Sequence, residues 1–144
     1  MTHPSPAQLA LESRTLTLRL FRAVDQARAD FTRVAEGLAL TPLQARTLLF
    51  LEEPRAMSQV ASHLSCDASN VTGLADRLER LGMIERIPGA DRRVKHLGLT
   101  DAGKRARRTL IGRLGKETTV MTRLTAGERA DLGRLLDRLV GEPG

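Results

Sequence analysis

The chain has 144 residues, 41% hydrophobic and 28% charged, the length and balance of one globular unit with little room for a separate catalytic domain. No apolar run approaches the roughly 18 residues of a membrane span, a lone cysteine cannot staple a fold, and Met1 to Gln8 lack the features of a secretion signal. A cytoplasmic address is therefore expected. With three Phe and no Trp or Tyr, stacking on single-stranded bases is a poor prospect.

From Leu16 the apolar positions Leu16, Leu20, Val24, Ala27, Phe31, Val34 and Leu38 recur at steps of four and three, which predicts a long first helix. Thr41 caps a second helix, with Pro42 at its first position and Gln44 placed to close a capping box; Glu52, Glu53 and Pro54 end it. A shorter helix, Ser58 to Leu64, leads to Asp67, the expected N-cap of a helix running to about Leu81 with Val71, Leu74, Leu78 and Leu81 inward. Gly82 stops it.

The stretches 83–87 and 94–99, joined by turn formers from Pro88 to Arg93, read as a hairpin. Thr100 opens a helix expected to reach Met121. Thr125 and Glu128 make a second capping box, starting a last helix through Leu132, Leu135, Leu136, Leu139 and Val140, with a frayed tail from Gly141.

The net charge of +6 is concentrated locally. Between Arg86 and Arg108 stand eight basic residues against two acids, so this window equals the whole excess. Such a stretch suits a phosphate backbone. Two helices joined by a short turn and followed by a basic hairpin describe a winged helix-turn-helix. Val60, Leu64, Val71 and Leu74 point into its core, which leaves Ala68, Ser69, Asn70, Thr72 and Gly73 facing outward. Short hydroxyl and amide groups reach base edges in a major groove, making Ser69, Asn70 and Thr72 the base-contact candidates. Arg77 and Arg80 are placed for phosphates or for bracing the wing.

The stretch from Met57 to Ala106 resembles the MarR family of winged helix-turn-helix transcriptional regulators, above all in DRLERLGMIERIPGADRRVKHLGLTDAG from Asp76 to Gly103. The Leu-Gly stop, the Asp-x-Arg tip and the Leu-Thr helix start stand at the family's spacing. The resemblance implies that Arg93 enters a minor groove, that Asp91 holds the wing through a salt bridge, and that Arg92 serves phosphates. Many relatives carry an arginine where Gly73 stands, so operator preference does not carry over.

The resemblance also implies a homodimer on a near-palindromic operator, acting as a repressor released by a small anionic or phenolic effector or an oxidant. Arg19, Arg22 and Arg46 lie near the expected effector region, and none is singled out. Cys66 precedes the recognition helix on an apolar slot, whereas redox-sensing relatives keep their reactive cysteine in the first helix, which here has none.

The expected fold is mainly α with a small β-hairpin wing: a DNA-binding lobe over 41–100 flanked by dimerisation helices over 1–40 and 101–144. Duplex DNA is the expected partner, bound through Ser69, Asn70, Thr72, Arg77, Asp91, Arg92, Arg93 and Lys95. No enzyme activity, cofactor or metal is expected: His3, His63 and His96 are scattered, and no phosphate loop, nucleophile elbow or HExxH occurs. Two other readings use the same features, a ligand- or oxidant-sensing protein that binds a protein partner and a non-specific DNA-organising protein. Gel-shifts with promoter and random DNA separate them.

Overall fold

The computed structural model describes residues 4–141. These form α1 (Pro6–Glu36), α2 (Pro42–Phe50), β1 (Arg55–Ala56), α3 (Met57–Leu64), α4 (Ala68–Arg80), β2 (Ile84–Pro88), β3 (Lys95–Leu99), α5 (Asp101–Glu117), α6 (Thr119–Thr122) and α7 (Ala126–Val140). The chain divides into two units, one of residues 1–31 with 117–144 and one of residues 32–116. His3 and the tail beyond Gly141 lie outside the described residues.

In the unit 32–116, α2 starts as its sequence dictates. Thr41 Oγ1 accepts from the Gln44 backbone N–H at 3.2 Å and Gln44 Oε1 accepts from the Thr41 N–H at 2.9 Å, which satisfies two end groups of the helix reciprocally. Leu48, Val60, Leu64, Val71, Leu74, Leu78, Ile84, Leu97 and Leu110 are buried and form its core. Truncating such a leucine to alanine costs about 2–5 kcal/mol.

Leu81, expected inward, is 51% exposed. It is the C-cap of α4, where the chain turns away through Gly82 at φ 69°, a left-handed conformation that glycine adopts without strain. Asp67 stands at the N-cap of α4 as expected, but its side chain makes no capping hydrogen bond.

The hairpin pairs Ile84 with Leu99 through Pro88 with Lys95, and a strand that periodicity did not reveal joins it. β1 pairs antiparallel with β3, Arg55 opposite Leu97, giving the sheet order β1-β3-β2. Two residues are too few for an alternation to show. Arg55 pairs with Glu53 at 2.9 Å and lies over the Phe50 ring, which stacks on His63 with centroids 3.9 Å apart.

In the other unit, α1 begins at Pro6, ten residues before its first counted apolar position. The helix expected to reach Met121 instead stops at Glu117, and α6 starts afresh at Thr119. The cause is Asp30. Its buried carboxylate accepts from the Thr119 N–H and hydroxyl, both at 2.8 Å, and from the Val120 N–H at 3.4 Å. An acceptor from α1 thus serves the backbone donors of a new helix start, which a continuous helix could not present.

The expected capping box of α7 is present. The Thr125 backbone N–H, then its hydroxyl, holds the Glu128 carboxyl below its ordinary value of 4.5. A lowered folded-state value means the cap acts fully above about pH 4.5 and is lost as pH falls through that lowered value. An NMR titration of the Glu128 side chain should give a midpoint below 4.5, and Thr125→Ala should return it toward that value.

Candidate nucleic-acid interface

The recognition candidates stand on one face of α4. Val71, Leu74, Ala75 and Leu78 are buried, and this periodicity leaves Ala68, Ser69, Asn70, Thr72, Gly73 and Arg77 exposed. The Thr72 hydroxyl donates to the Ala68 carbonyl at 3.0 Å, which fixes its rotamer and leaves oxygen lone pairs and a methyl group outward. Ser69, Asn70, Gly73 and Arg77 line a groove of about 360 Å³ with Thr41, Leu43 and Gln44 from the start of α2. Cys66, half-buried, lines it too, its thiol 3.5 Å from the Leu64 carbonyl. The contribution of α2 was not legible from sequence, since it arises from the packing of α2 against α4.

The wing tip is shaped by backbone bonds. Gly89 N–H donates to the Val94 carbonyl and Val94 N–H to the Asp91 carbonyl, both at 2.9 Å. Asp91 Oδ1 accepts from the Arg93 backbone N–H at 3.0 Å. Among the described residues Asp91 forms no ion pair, so the expected salt bridge is replaced by a turn in which Asp91 bonds the backbone two residues on. A short carboxylate reaches that N–H locally, and the Arg93 side chain is left exposed. A Cβ on Gly89 would lie 2.8 Å from the Val94 carbonyl oxygen, so the tight turn requires glycine there.

The basic window is less free than its letters suggest. Arg86 on β2 is bound by Asp76 at 2.5 Å and by Glu79, both on α4. The Asp76 hydrogen bond leads in raising its pKa, so it stays charged and ties the wing strand to the recognition helix. Arg107 pairs with Glu52 at 3.5 Å. Arg92, Arg93 and Lys95 at the tip are exposed and, among the described residues, in no ion pair; Arg77 is likewise unpaired. The free charge thus lies at the tip, on α4 at Arg77, and on α5, where Lys104, Arg105 and Arg108 are also exposed and, among the described residues, in no ion pair. The sequence hinted at the Arg86 clamp through two acids three residues apart on α4, but not at which arginine would reach them.

The comparisons fit this geometry. Residues 40–95, from the start of α2 through the wing, match the model of the MarR family. E. coli MarR in its apo form superposes with a TM-score of 0.71 at 23% identity, covering 86% of this chain and 96% of that one. The YusO protein of Bacillus subtilis gives 0.59 at 26% identity, covering 97% of this chain and 100% of that one. A cysteine-to-serine mutant of E. coli MarR complexed with operator DNA gives 0.68 at 25% identity, covering 89% and 95%. Over residues 40–95 the chain resembles the MarR family, and its fold is the one those structures share.

No curated protein matches the chain. The MarR fold accounts for the mainly helical architecture and the small antiparallel sheet, and the family is one of winged-helix transcriptional regulators. The matched segment contains all eight residues read from sequence as the DNA interface. Six lie on α4 or in the wing turn, namely Ser69, Asn70, Thr72, Arg77, Asp91 and Arg92; Arg93 closes the turn and Lys95 begins β3. Among the described residues no helix is long and apolar enough to cross a membrane.

Proposed function

We propose that this chain is a homodimeric transcriptional repressor that binds a near-palindromic operator in duplex DNA and leaves it when a small effector binds. The observation that carries the reading is one exposed polar helix face, Ser69, Asn70, Thr72 and Arg77, in the same unit as a wing tip of unpaired cations, Arg92, Arg93 and Lys95. In this reading Ser69, Asn70 and Thr72 read base edges, Arg93 reads minor-groove shape, Arg77, Arg92 and Lys95 hold phosphates, and Asp91 shapes the turn. The operator complex of E. coli MarR supports it. Work on chromosomal DNA implies a cytoplasmic protein.

Residues 41–100 act as the DNA-binding lobe and the flanking helices as the dimer contact. Leu9, Leu16 and Phe21 on α1 and Leu135 and Leu139 on α7 are all exposed, an apolar surface that a second copy would bury. Two recognition helices about one DNA turn apart then meet a palindrome.

The test is binding to DNA from the protein's own promoter region. Arg93→Ala should weaken binding about tenfold, ~1.4 kcal/mol, with the fold intact by circular dichroism. Asn70→Ala should relax preference at one position of each half-site by about 1–3 kcal/mol. Equal affinity for random and promoter DNA, or unchanged binding in both variants, would refute the reading.

A further inference from the structure

We propose that Gly73 is a specificity-determining residue of the DNA face, the floor of a seat for the C5 methyl group of one operator thymine in each half-site. Gly73 stands in the interior of α4, where glycine is the least favourable helix residue after proline. Neither packing nor backbone geometry calls for it: a Cβ on Gly73 would meet nothing within 4 Å, and its φ lies outside the left-handed region. Glycine at such a position permits the close approach of another molecule to the helix backbone.

Other helical glycines, Gly112 among them, are as open, and position separates Gly73 from them. One turn before it on the same face stand Ser69 and Asn70, and one turn after it Arg77. All four line the groove of about 360 Å³ that α4 shares with the start of α2. A missing side chain in the middle of that row leaves a hollow flanked by the groups that read bases and hold phosphates.

The walls of the hollow decide what enters it. Leu43 of α2, half-buried, and Leu74 line the same groove, together with the Cys66 thiol, a small and weakly polar group. Base edges in a major groove present hydrogen-bonding groups with one apolar exception, the thymine methyl. An edge without that methyl would leave the hollow wet, whereas the methyl fills it and takes apolar surface out of water. A side chain at position 73 would occupy the same space. The inference rests on the regulator reading and names the base that this part of the helix reads.

Operator DNA from the protein's own promoter region tests it, with each thymine of a half-site replaced in turn by deoxyuridine, which keeps every hydrogen bond of thymine and lacks only the methyl. At one position the replacement should weaken binding of the full chain about fourfold, the worth of one buried methyl group. Gly73→Ala should weaken binding to the thymine operator by about fourfold or more and erase the preference for thymine over deoxyuridine at that position. It should nonetheless raise the urea midpoint, alanine being the better helix former. Gly112→Ala should raise the midpoint likewise and leave both affinities unchanged. Equal affinity of the unmodified chain for promoter and random DNA would defeat the regulator reading by itself. Promoter preference with no thymine sensitive to the replacement would overturn only the seat, as would Gly73→Ala with undiminished affinity or with the thymine preference kept. An equal loss of affinity in Gly112→Ala would trace the effect to a stiffer helix, and would also overturn it.

Discussion

Gly103→Ala is expected to destabilise the fold by about 3 kcal/mol or more, while Gly112→Ala, in the same helix, should stabilise it by about 0.5–1 kcal/mol. Alanine is the better helix former, so helix propensity alone gives both changes the same sign. Packing reverses it at one of them. A Cβ on Gly103 would lie 1.9 Å from the Met83 carbonyl oxygen and 3.2 Å from Leu99 Cδ2, whereas a Cβ on Gly112 meets nothing within 4 Å.

The obstacle at Gly103 is backbone, and it is held in place. Met83 O accepts from the Thr100 N–H at 3.1 Å. The Thr100 hydroxyl donates to the Gly82 carbonyl at 2.6 Å and accepts from the Gly103 N–H at 3.1 Å. Moving Met83 aside would therefore break the knot that joins the end of α4, the root of the hairpin and the start of α5. Urea unfolding of both variants at one fixed protein concentration checks this, because the midpoint of the proposed dimer would depend on concentration. A Gly103→Ala midpoint equal to that of the unmodified chain would show that α5 does not approach Met83 so closely.

The same knot explains why the wing was legible in sequence and its anchoring was not. Leu81-Gly82 and Leu99-Thr100 are local signals: a glycine that adopts positive φ ends a helix, and a threonine hydroxyl starts one. Both act within a few residues, so reading along the chain finds them. Both capping boxes, at Thr41 and at Thr125, were readable for that reason.

Features that depend on residues distant in the chain were not readable. β1 exists because Arg55 and Ala56 meet β3 some forty residues later. Arg86 looked like part of a free basic patch until Asp76 and Glu79 came round to it. Asp91 is the exception, a local feature: the resemblance implies a salt bridge, whereas a backbone N–H two residues away satisfies the carboxylate with less ordering of long side chains. For the candidate interface, α4's exposed face followed directly from its 3.6-residue period, whereas the contribution of α2 to the groove needed the tertiary fold.

Asp30 is the extreme case of a long-range determinant, and Asp30→Ala is expected to cost about 2–4 kcal/mol. It is a fully buried acid on α1 whose Oδ2 serves two backbone N–H groups and a hydroxyl at the start of α6, while Oδ1 accepts from Gln26 Nε2 at 3.2 Å. Hydrogen bonds to a charged acceptor contribute about 1.5–3 kcal/mol, and donors left without a partner after truncation add their own desolvation cost. A four-residue helix cannot sustain itself by propagation, so α6 depends on this outside acceptor more than the longer helices depend on theirs. Thr119→Val removes one donor and keeps the backbone bonds, so it should cost only about 1 kcal/mol. Hydrogen exchange supplies the local check: the Thr119 and Val120 amides should lose protection in Asp30→Ala before the core of the other unit does. Equal protection of those amides, with stability within about 0.5 kcal/mol of the unmodified chain, would show that α6 begins at Thr119 for some other reason.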